Sequence, residues 1–232
     1  MRKLGKKYVE ASNKVESSKL YTKEEAVKLV KETSITKFDG TVEVAFKLNL
    51  DTKKADQQLR GSLVLPNGNG KTKKILVLAK GAQAEAAKAA GADYVGEMEM
   101  IEKIQTENWF DFDIIIATPD MMPALGKIGK VLGPKGLMPN PKTGTVTPTP
   151  EKAVEDVKKG MIEYRADSYG NIHCSVGKVS FDEKALIENI TYVVSIITKA
   201  KPATVKGKYI QNISLSTTMG PGIHVDENSI DM

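Results

Sequence analysis

The sequence has very few of the residues on which most catalytic and metal sites depend. Its 232 residues include one cysteine, Cys174, and two histidines, His173 and His224. A single cysteine cannot form an internal disulfide, which fits a reducing cytoplasm. No C-x-x-C or H-x-x-x-H spacing exists, so we expect no metal site. Neighbours on a strand point to opposite faces, so His173 and Cys174 are not a nucleophile–base pair. We therefore expect no enzyme and no cofactor.

Long apolar segments are also missing. No run approaches the ~18 residues that a membrane span needs. The first eight residues carry charge without an apolar stretch behind it, which is unlike a secretory signal. Hydrophobic residues make up 41% and charged residues 27%, as in soluble globular proteins. We expect a cytoplasmic protein that has no membrane partner.

The charge is positive and unevenly distributed. The chain has 34 basic and 29 acidic residues, with a pI near 9.0. Residues 1–67 and 161–232 together carry 21 basic and 17 acidic residues, whereas residues 68–160 carry 13 and 12. This balance permits a polyanionic partner, but many soluble enzymes are equally basic. Before the first acid, Glu10, the basic residues are Arg2, Lys3, Lys6 and Lys7.

At both ends of the chain, apolar and polar residues alternate as in antiparallel strands that have one buried and one exposed face. In residues 38–50 the apolar side chains from Val42 to Leu50 fall on alternate positions and predict one buried strand face. Residues 60–65 predict a second strand, and residues 161–166 and 171–176 predict a hairpin. Residues 208–218 predict a last strand, on which Ser214, Ser216 and Thr218 share an outward face.

In the middle of the chain, short apolar strands alternate with helical segments instead. Apolar runs at 74–79 and 112–117 are typical of strands buried on both faces, and helical segments lie between them. This pattern predicts a doubly wound parallel sheet. We therefore expect a discontinuous α+β domain with an antiparallel sheet, residues 1–67 and 161–232. An inserted α/β domain, residues 68–160, would interrupt it.

Two glycine-rich segments raise the question of a phosphate site. GNGKT at 68–72 lacks the first glycine of a nucleotide-binding loop and leads into a strand rather than a helix, so we reject that interpretation. GPKGLMPNPK at 133–142 is too rich in glycine and proline for a regular element. It is either a rigid loop whose lysines meet phosphate or a packed connection with solvated lysines, and residue chemistry slightly favours the second.

Two further segments carry groups suited to RNA. In residues 37–43 a cation, an aromatic ring and a hydroxyl precede a strand, as in surfaces that stack bases and contact 2′-hydroxyls. The alternative is that Phe38 belongs to the core, its commoner fate. In residues 217–222 two glycines expose backbone beside two hydroxyls and the adaptable side chain of Met219. A simple turn at the end of a strand is the alternative here.

Taken together, several segments resemble the ribosomal protein L1 family in its bacterial form. The resemblance runs nearly end to end in the family's order and spacing, and the loop around GPKGLMPNP is particularly specific. The segments are KFDGTVE (37–43), DQQLRG (56–61), GADYVG (91–96), FDIIIATPD (112–120), GPKGLMPNP (133–141) and TTMGPG (217–222).

The resemblance implies a two-domain protein of the large ribosomal subunit that is a monomer outside the ribosome. Domain one would hold ribosomal RNA, and domain two would be a Rossmann-like unit without a dinucleotide. Together with the RNA they would form the mobile stalk beside the exit site, where deacylated tRNA leaves. Bacterial members also repress translation of their own operon by binding its messenger. The implied RNA-binding residues are Lys37, Phe38, Thr41, Glu43, Ser216, Thr217, Thr218, Met219 and Gly220.

Phosphate contacts that carry no sequence information are expected from Lys3, Lys6 and Lys7, because lysines near the RNA add affinity by releasing counterions. Two rival functions stay open. A nucleotide-dependent enzyme on the middle unit would need a glycine-rich turn between strand and helix, and residues 80–83 offer one glycine. A purely protein-binding scaffold would associate without sensitivity to salt.

Overall fold

The computed structural model describes residues 5–230. The chain forms two compact units, one containing the residues up to Gly70 together with those from Ile162 onward, and one spanning Lys71–Met161. The helices are α1 (Lys6–Ser12), α2 (Lys23–Glu32), α3 (Ala82–Ala89), α4 (Met98–Glu107), α5 (Met122–Lys127), α6 (Gly129–Leu132), α7 (Pro150–Lys158) and α8 (Glu183–Lys199). The strands are β1 (Thr41–Leu48), β2 (Arg60–Val64), β3 (Ile75–Leu78), β4 (Tyr94–Gly96), β5 (Ile114–Ala117), β6 (Met161–Arg165), β7 (Asn171–Lys178), β8 (Ile210–Thr217) and β9 (Ile223–Val225).

The first unit is built on an antiparallel sheet in the order β7-β1-β8-β9. The alternation predicted for β1 is confirmed, because Val42, Val44, Phe46 and Leu48 are all 1% exposed or less. Helices α2 and α8 pack against each other and against strands of this sheet, and they cover its apolar face. Strand β9 was not predicted, since three residues are too few to establish an alternation. The other face of the sheet is polar and accessible to solvent.

The hairpin predicted over residues 161–176 is wrong. Strand β6 pairs with β2 in a separate two-stranded sheet, and β7 pairs with β1. Gly61 on β2 packs against Tyr164 on β6, where a Cβ at position 61 would lie 2.6 Å from the Tyr164 hydroxyl. The intervening turn is well ordered: Asp167 accepts hydrogen bonds from the amides of Tyr169 and Asn171, both at 2.8 Å. The turn thus passes the chain from one sheet to another.

The second unit contains a parallel sheet in the order β4-β3-β5, with helices between the strands. All four residues of β3 are fully buried, as predicted for a strand covered on both faces. Pro119 and Asp120 are typical of the start of a helix, but the helix that this predicts toward Val131 is broken into a 3-10 turn, α5 and α6. Glycines at 126 and 129 weaken the helix on either side of that break.

A buried asparagine fixes the chain where it leaves the first unit. The Asn189 side chain on α8 is fully buried and forms three hydrogen bonds. Its amide nitrogen donates to the carbonyls of Gly68 (3.0 Å) and Val176 (2.7 Å), and its oxygen accepts from the Asn67 amide at 3.1 Å. The 67–70 segment is therefore a structural loop packed on α8, in agreement with its rejection as a phosphate-binding loop.

We predict that Asn189→Leu destabilises the protein strongly. Leucine fills a similar volume but removes the partner of the buried Val176 carbonyl and of the partly buried Gly68 carbonyl and Asn67 amide, at about 1–3 kcal/mol for a fully buried group. Urea unfolding should show a loss of about 3 kcal/mol or more in the free energy of unfolding, whereas Lys184→Ala on the exposed side of the same helix should change it by less than about 0.5 kcal/mol. A loss below about 1 kcal/mol for Asn189→Leu would show that these hydrogen bonds do not hold the loop.

Candidate nucleic-acid interface

The structure brings the two predicted RNA segments together at one end of the antiparallel sheet. In the β1–β8 register, Val42 lies opposite Thr217 and Glu43 lies opposite Ser216. Glu43 is exposed and Ser216 is half-buried, so both present polar groups on the open face of the sheet. Neither segment's own pattern predicts this pairing, whereas the resemblance to the L1 family implies that both segments contact RNA.

The loop before β1, residues 37–40, is held against the segment that follows β7. The Asp39 carboxylate accepts hydrogen bonds from the Ser180 amide at 3.1 Å and from its hydroxyl at 2.8 Å. The carbonyl of Gly40 accepts from the Val179 amide at 3.0 Å. Phe38 remains 62% exposed and Lys37 is exposed as well. The core alternative for Phe38 is therefore wrong, and its ring is available to a stacking partner.

Lys178 joins this loop to the first residue of β1, and sequence reasoning missed it. Its ammonium group donates to the Thr41 hydroxyl at 3.2 Å and to the Asp39 carbonyl at 3.4 Å. Thr41 is only 8% exposed, so its hydroxyl serves this internal contact rather than facing solvent as predicted. Lys178 lies at the end of β7 with no distinguishing pattern, and only the tertiary fold reveals its position.

The prediction that the Thr218 hydroxyl points outward is also wrong. It accepts a hydrogen bond from the Thr41 amide at 3.0 Å, and the Thr218 amide donates to the Thr41 carbonyl at the same distance. Thr218 lies just beyond the last residue of β8, so the alternation of that strand no longer fixes its direction. A Thr218→Val substitution would remove a structural bond, which makes it a poor probe of RNA contact alone.

The turn formed by residues 217–220 is strained and presents Met219 to solvent. Met219 has a φ of 67°, a conformation that costs a residue with a side chain about 1–2 kcal/mol. Its side chain is nevertheless 71% exposed. The Gly220 amide donates to the Thr217 carbonyl at 2.8 Å, and a Cβ at Gly220 would collide with the Thr217 hydroxyl.

Thr217 adds a second local cost to this turn. Thr217 is 4% exposed, and its hydroxyl has no hydrogen-bond partner within residues 5–230. A buried polar group without a partner destabilises the folded state. Strain at Met219 and an unpaired hydroxyl at Thr217 within the same turn indicate that the turn is shaped for something other than stability.

Among the auxiliary lysines, the structure describes Lys6 and Lys7, which are exposed on α1; Lys3 lies outside the described residues. Lys7 and Lys14 line a shallow groove together with Glu32 and Ile35. Ile35 is two residues before Lys37, so this end of α1 lies beside the segment that leads into the predicted interface. The groove carries both signs of charge and does not form a purely cationic surface.

The rival enzymatic interpretation gains nothing from the second unit. The Gly81 amide at the start of α3 donates to the Glu97 carboxylate at 3.4 Å, and this negative charge opposes a bound phosphate. In the first unit, burial raises the pKa of the Cys174 thiol to about 12, so the reactive thiolate is suppressed at neutral pH.

Across residues 5–230, no grouping of three or more potential ligands from His, Cys, Asp and Glu could hold a metal ion. None of the helices in the same range has the length and apolarity needed to cross a bilayer.

The comparison with known proteins agrees with these observations. The model of the ribosomal protein L1p/L10e family matches residues 30–221, most of the chain. The match includes both segments that the sheet brings together, residues 37–43 and 216–220. Membership implies a large-subunit ribosomal protein that binds ribosomal RNA, in a family that is typically non-enzymatic. The chain belongs to the ribosomal protein L1p/L10e family.

Proposed function

We propose that the surface formed by the 37–43 segment and the 216–220 segment is where this protein holds large-subunit ribosomal RNA. The observation that carries the proposal is the pairing of Glu43 with Ser216, next to a strained turn that exposes a methionine. Both features place hydrogen-bonding and apolar groups on the same edge of a rigid sheet. RNA recognition needs such a combination of ribose contacts and stacking surfaces.

Some of these residues contact RNA, and the others hold the contacting residues in position. Phe38 stacks on a base, Met219 covers a base or sugar, and Lys37 contacts phosphate. Glu43 accepts from a ribose hydroxyl or a base amine, and Ser216 can donate or accept. The buried threonines act through the backbone: Thr41 and Thr218 tie the start of β1 to the end of β8, and Thr217 shapes the turn around Gly220.

The family resemblance supports two further partners. The messenger of the protein's own operon would bind the same surface in place of ribosomal RNA and so repress translation. An unlabelled ribosomal RNA fragment should then displace the messenger competitively. The second partner is the deacylated tRNA that leaves the exit site, which would meet the protein while it is part of the stalk. We also propose that the protein is a cytoplasmic monomer before assembly.

The tRNA is proposed to meet a second surface, at the opposite end of β1. Its charges are mixed, because Asp51 and Asp56 are exposed among its basic residues and Lys54 lies 3.5 Å from Asp51. Three loops meet there, because Thr52 donates to the Ser168 carbonyl at 2.7 Å and Asn49 donates to the Lys206 carbonyl at 3.3 Å. Tyr169 at the tip of one loop is 75% exposed. A tRNA bound there would leave the ribosomal RNA site free, as simultaneous binding requires. The exposed basic residues of the three loops and of neighbouring β6 are Lys53, Lys54, Arg165, Lys201 and Lys206.

The second unit is proposed to be a Rossmann-like domain that does not bind a dinucleotide, and each unit to be an independent domain. We predict that a chain joining residues 1–70 to 162–232 through a short linker folds and binds the ribosomal RNA fragment with most of the affinity of the full protein. Circular dichroism and a binding titration would check this. A folded fusion that binds no better than isolated residues 71–161 would refute the assignment.

Met219 provides the sharpest test of the interface. We predict that Met219→Gly weakens RNA binding about tenfold, because burying a methionine is worth about 1.5–3 kcal/mol. The same change should leave the free energy of unfolding unchanged or raise it by up to about 1 kcal/mol, since glycine adopts a positive φ without strain.

The matched control for this test is Met98→Ala, which removes another exposed methionine, on α4 of the second unit. RNA dissociation constants and thermal unfolding should be measured on both variants. Unchanged affinity for Met219→Gly would remove the turn from the binding site. Lowered stability with unchanged affinity per folded molecule would show a purely structural role.

Salt dependence tests the phosphate contacts. We predict that log affinity falls linearly with log salt, and that Lys37→Gln reduces the slope by about 0.7–0.9. Replacing Lys3, Lys6 and Lys7 together should also lower the slope while preserving discrimination between RNAs. Lys88→Gln, at an exposed position on α3, is the control that should leave the slope unchanged. A wild-type affinity that does not respond to salt would refute the phosphate contacts and favour a protein partner.

A further inference from the structure

The two histidines of the chain lie in one row across the open face of the antiparallel sheet. The strand registers place His173 opposite Ala45, Ala45 opposite Ser214, and Ser214 opposite His224. The row therefore crosses all four strands, β7, β1, β8 and β9, with a histidine on each edge strand. His173 is exposed, and the other three residues are half-buried. We call these four residues the histidine row.

The histidine row is continuous with the proposed RNA surface. The next row toward the interface contains Ser175, Glu43 and Ser216, which are partners in the same registers. Two of these residues belong to the proposed interface. Alternate residues of a strand are about 7 Å apart on one face, and adjacent strands are about 4.8 Å apart. An RNA strand seated on Glu43 and Ser216 therefore reaches the histidine row within about one nucleotide's length.

The chemistry of the row fits a nucleic-acid backbone better than a protein surface. Ala45 and Ser214 have small side chains, so a sugar–phosphate chain can approach the sheet closely. Among the described residues of this row and of the row beside it, none has a large apolar side chain, whereas the core of a protein interface is enriched in aromatic residues. The adjacent Lys47 adds a fixed positive charge on the far side of the row.

We infer that the RNA-binding surface extends across the open sheet face, and that His173 and His224 contact RNA phosphates at its two edges. This inference rests on the proposed function and adds a second set of contacts to it. An imidazole nitrogen donates to phosphate most strongly when the ring is protonated. Binding is then coupled to proton uptake, so affinity rises as pH falls.

The surroundings of each histidine are compatible with this coupling. His173 faces Glu43 and Lys47 on β1, on the diagonals of its own pair, and the Asp167 carboxylate in the preceding turn. Hydrogen bonding from the Asn171 amide holds the pKa of Asp167 below its usual value, so this carboxylate is negatively charged at neutral pH.

His224 has a different partner. Its Nδ1 lies 3.2 Å from the Asn212 Oδ1, which can only accept, so a hydrogen bond between them requires the proton on Nδ1 and leaves Nε2 for a ligand. Along its own strand segment the nearest charged group is Asp226, whose carboxylate accepts from the Asn228 amide at 3.0 Å. In the neutral ring Nε2 is only an acceptor, and protonation converts it to a donor that a phosphate oxygen can accept.

The test compares the full-length wild type with the double variant His173→Gln, His224→Gln. Histidine is the side chain that changes charge between about pH 5 and pH 8. At fixed salt, wild-type affinity for a large-subunit ribosomal RNA fragment should rise about tenfold from about pH 8 to about pH 6, as expected for a hydrogen bond to a charged group. The double variant should lose this rise and match the wild type near pH 8. Tyr192→Gln, on the solvent side of α8, should behave as the wild type.

Each outcome decides the inference. A double variant that retains the full pH response while folded at both pH values overturns it. If Met219→Gly and Lys37→Gln weaken binding but the histidine variant does not alter the pH response, the proposed function stands and its extension fails. If none of these variants changes binding, the proposed function itself fails. Thermal unfolding of each variant at both pH values separates lost contacts from lost structure.

Discussion

The pairing of strand β1 on both of its edges is the constraint on which the rest of the first unit depends. β1 lies between β7 and β8, and its inward residues, from Val42 to Leu48, form the centre of the core. The same pairing sets Glu43 beside Ser216 on the outward face. A register slip of one residue would exchange the two faces, burying Glu43 and exposing Val44. The core therefore protects the geometry of the interface, because any slip that spoils the interface also exposes apolar surface.

This rigidity allows the end of the sheet to contain features that are unfavourable by themselves. Met219 adopts a left-handed backbone conformation, and the buried Thr217 hydroxyl lacks a partner among the described residues. Such local costs persist where the surrounding structure holds them in place. Here the paired backbone of Thr41 and Thr218 and the ammonium group of Lys178 anchor the strand ends from which the strained turn and the 37–40 loop extend.

The sequence predicts those features that depend on neighbouring residues, and it misses those that depend on segments far along the chain. The alternation of β1 and the apolar run of β3 were read correctly, because burial on one or both faces leaves a period in the sequence. The hairpin prediction failed because the Asp167 turn is locally sound, whereas the pairing of β6 with β2 joins segments far apart in the sequence and leaves no local signal. The directions of Thr41 and Thr218 were misjudged for a related reason. Both lie where a strand begins or has just ended, and there a hydrogen bond to another segment, rather than the strand period, fixes the side chain. The sequence could not assign Phe38 to the core or to the surface, because phenylalanine occurs both in cores and on surfaces that stack bases.

The proposed interface combines two kinds of contact that differ in stiffness. Glu43 and Ser216 stand on paired strands, so their positions are fixed to within the rigidity of the sheet. They suit ribose hydroxyls, whose spacing along an RNA strand is regular. Phe38, Lys37 and Met219 project from a loop and a turn and remain largely exposed, so they can adjust to bases and phosphates whose positions vary. Phosphate contacts mainly orient an RNA, whereas specificity comes from its bases and its shape. The rigid strand pair can therefore match the geometry of an RNA backbone, and the exposed side chains of the loop and the turn add affinity once that geometry is met. On this argument, ribosomal RNA and a messenger that share a local fold would bind the same surface even if their sequences differed.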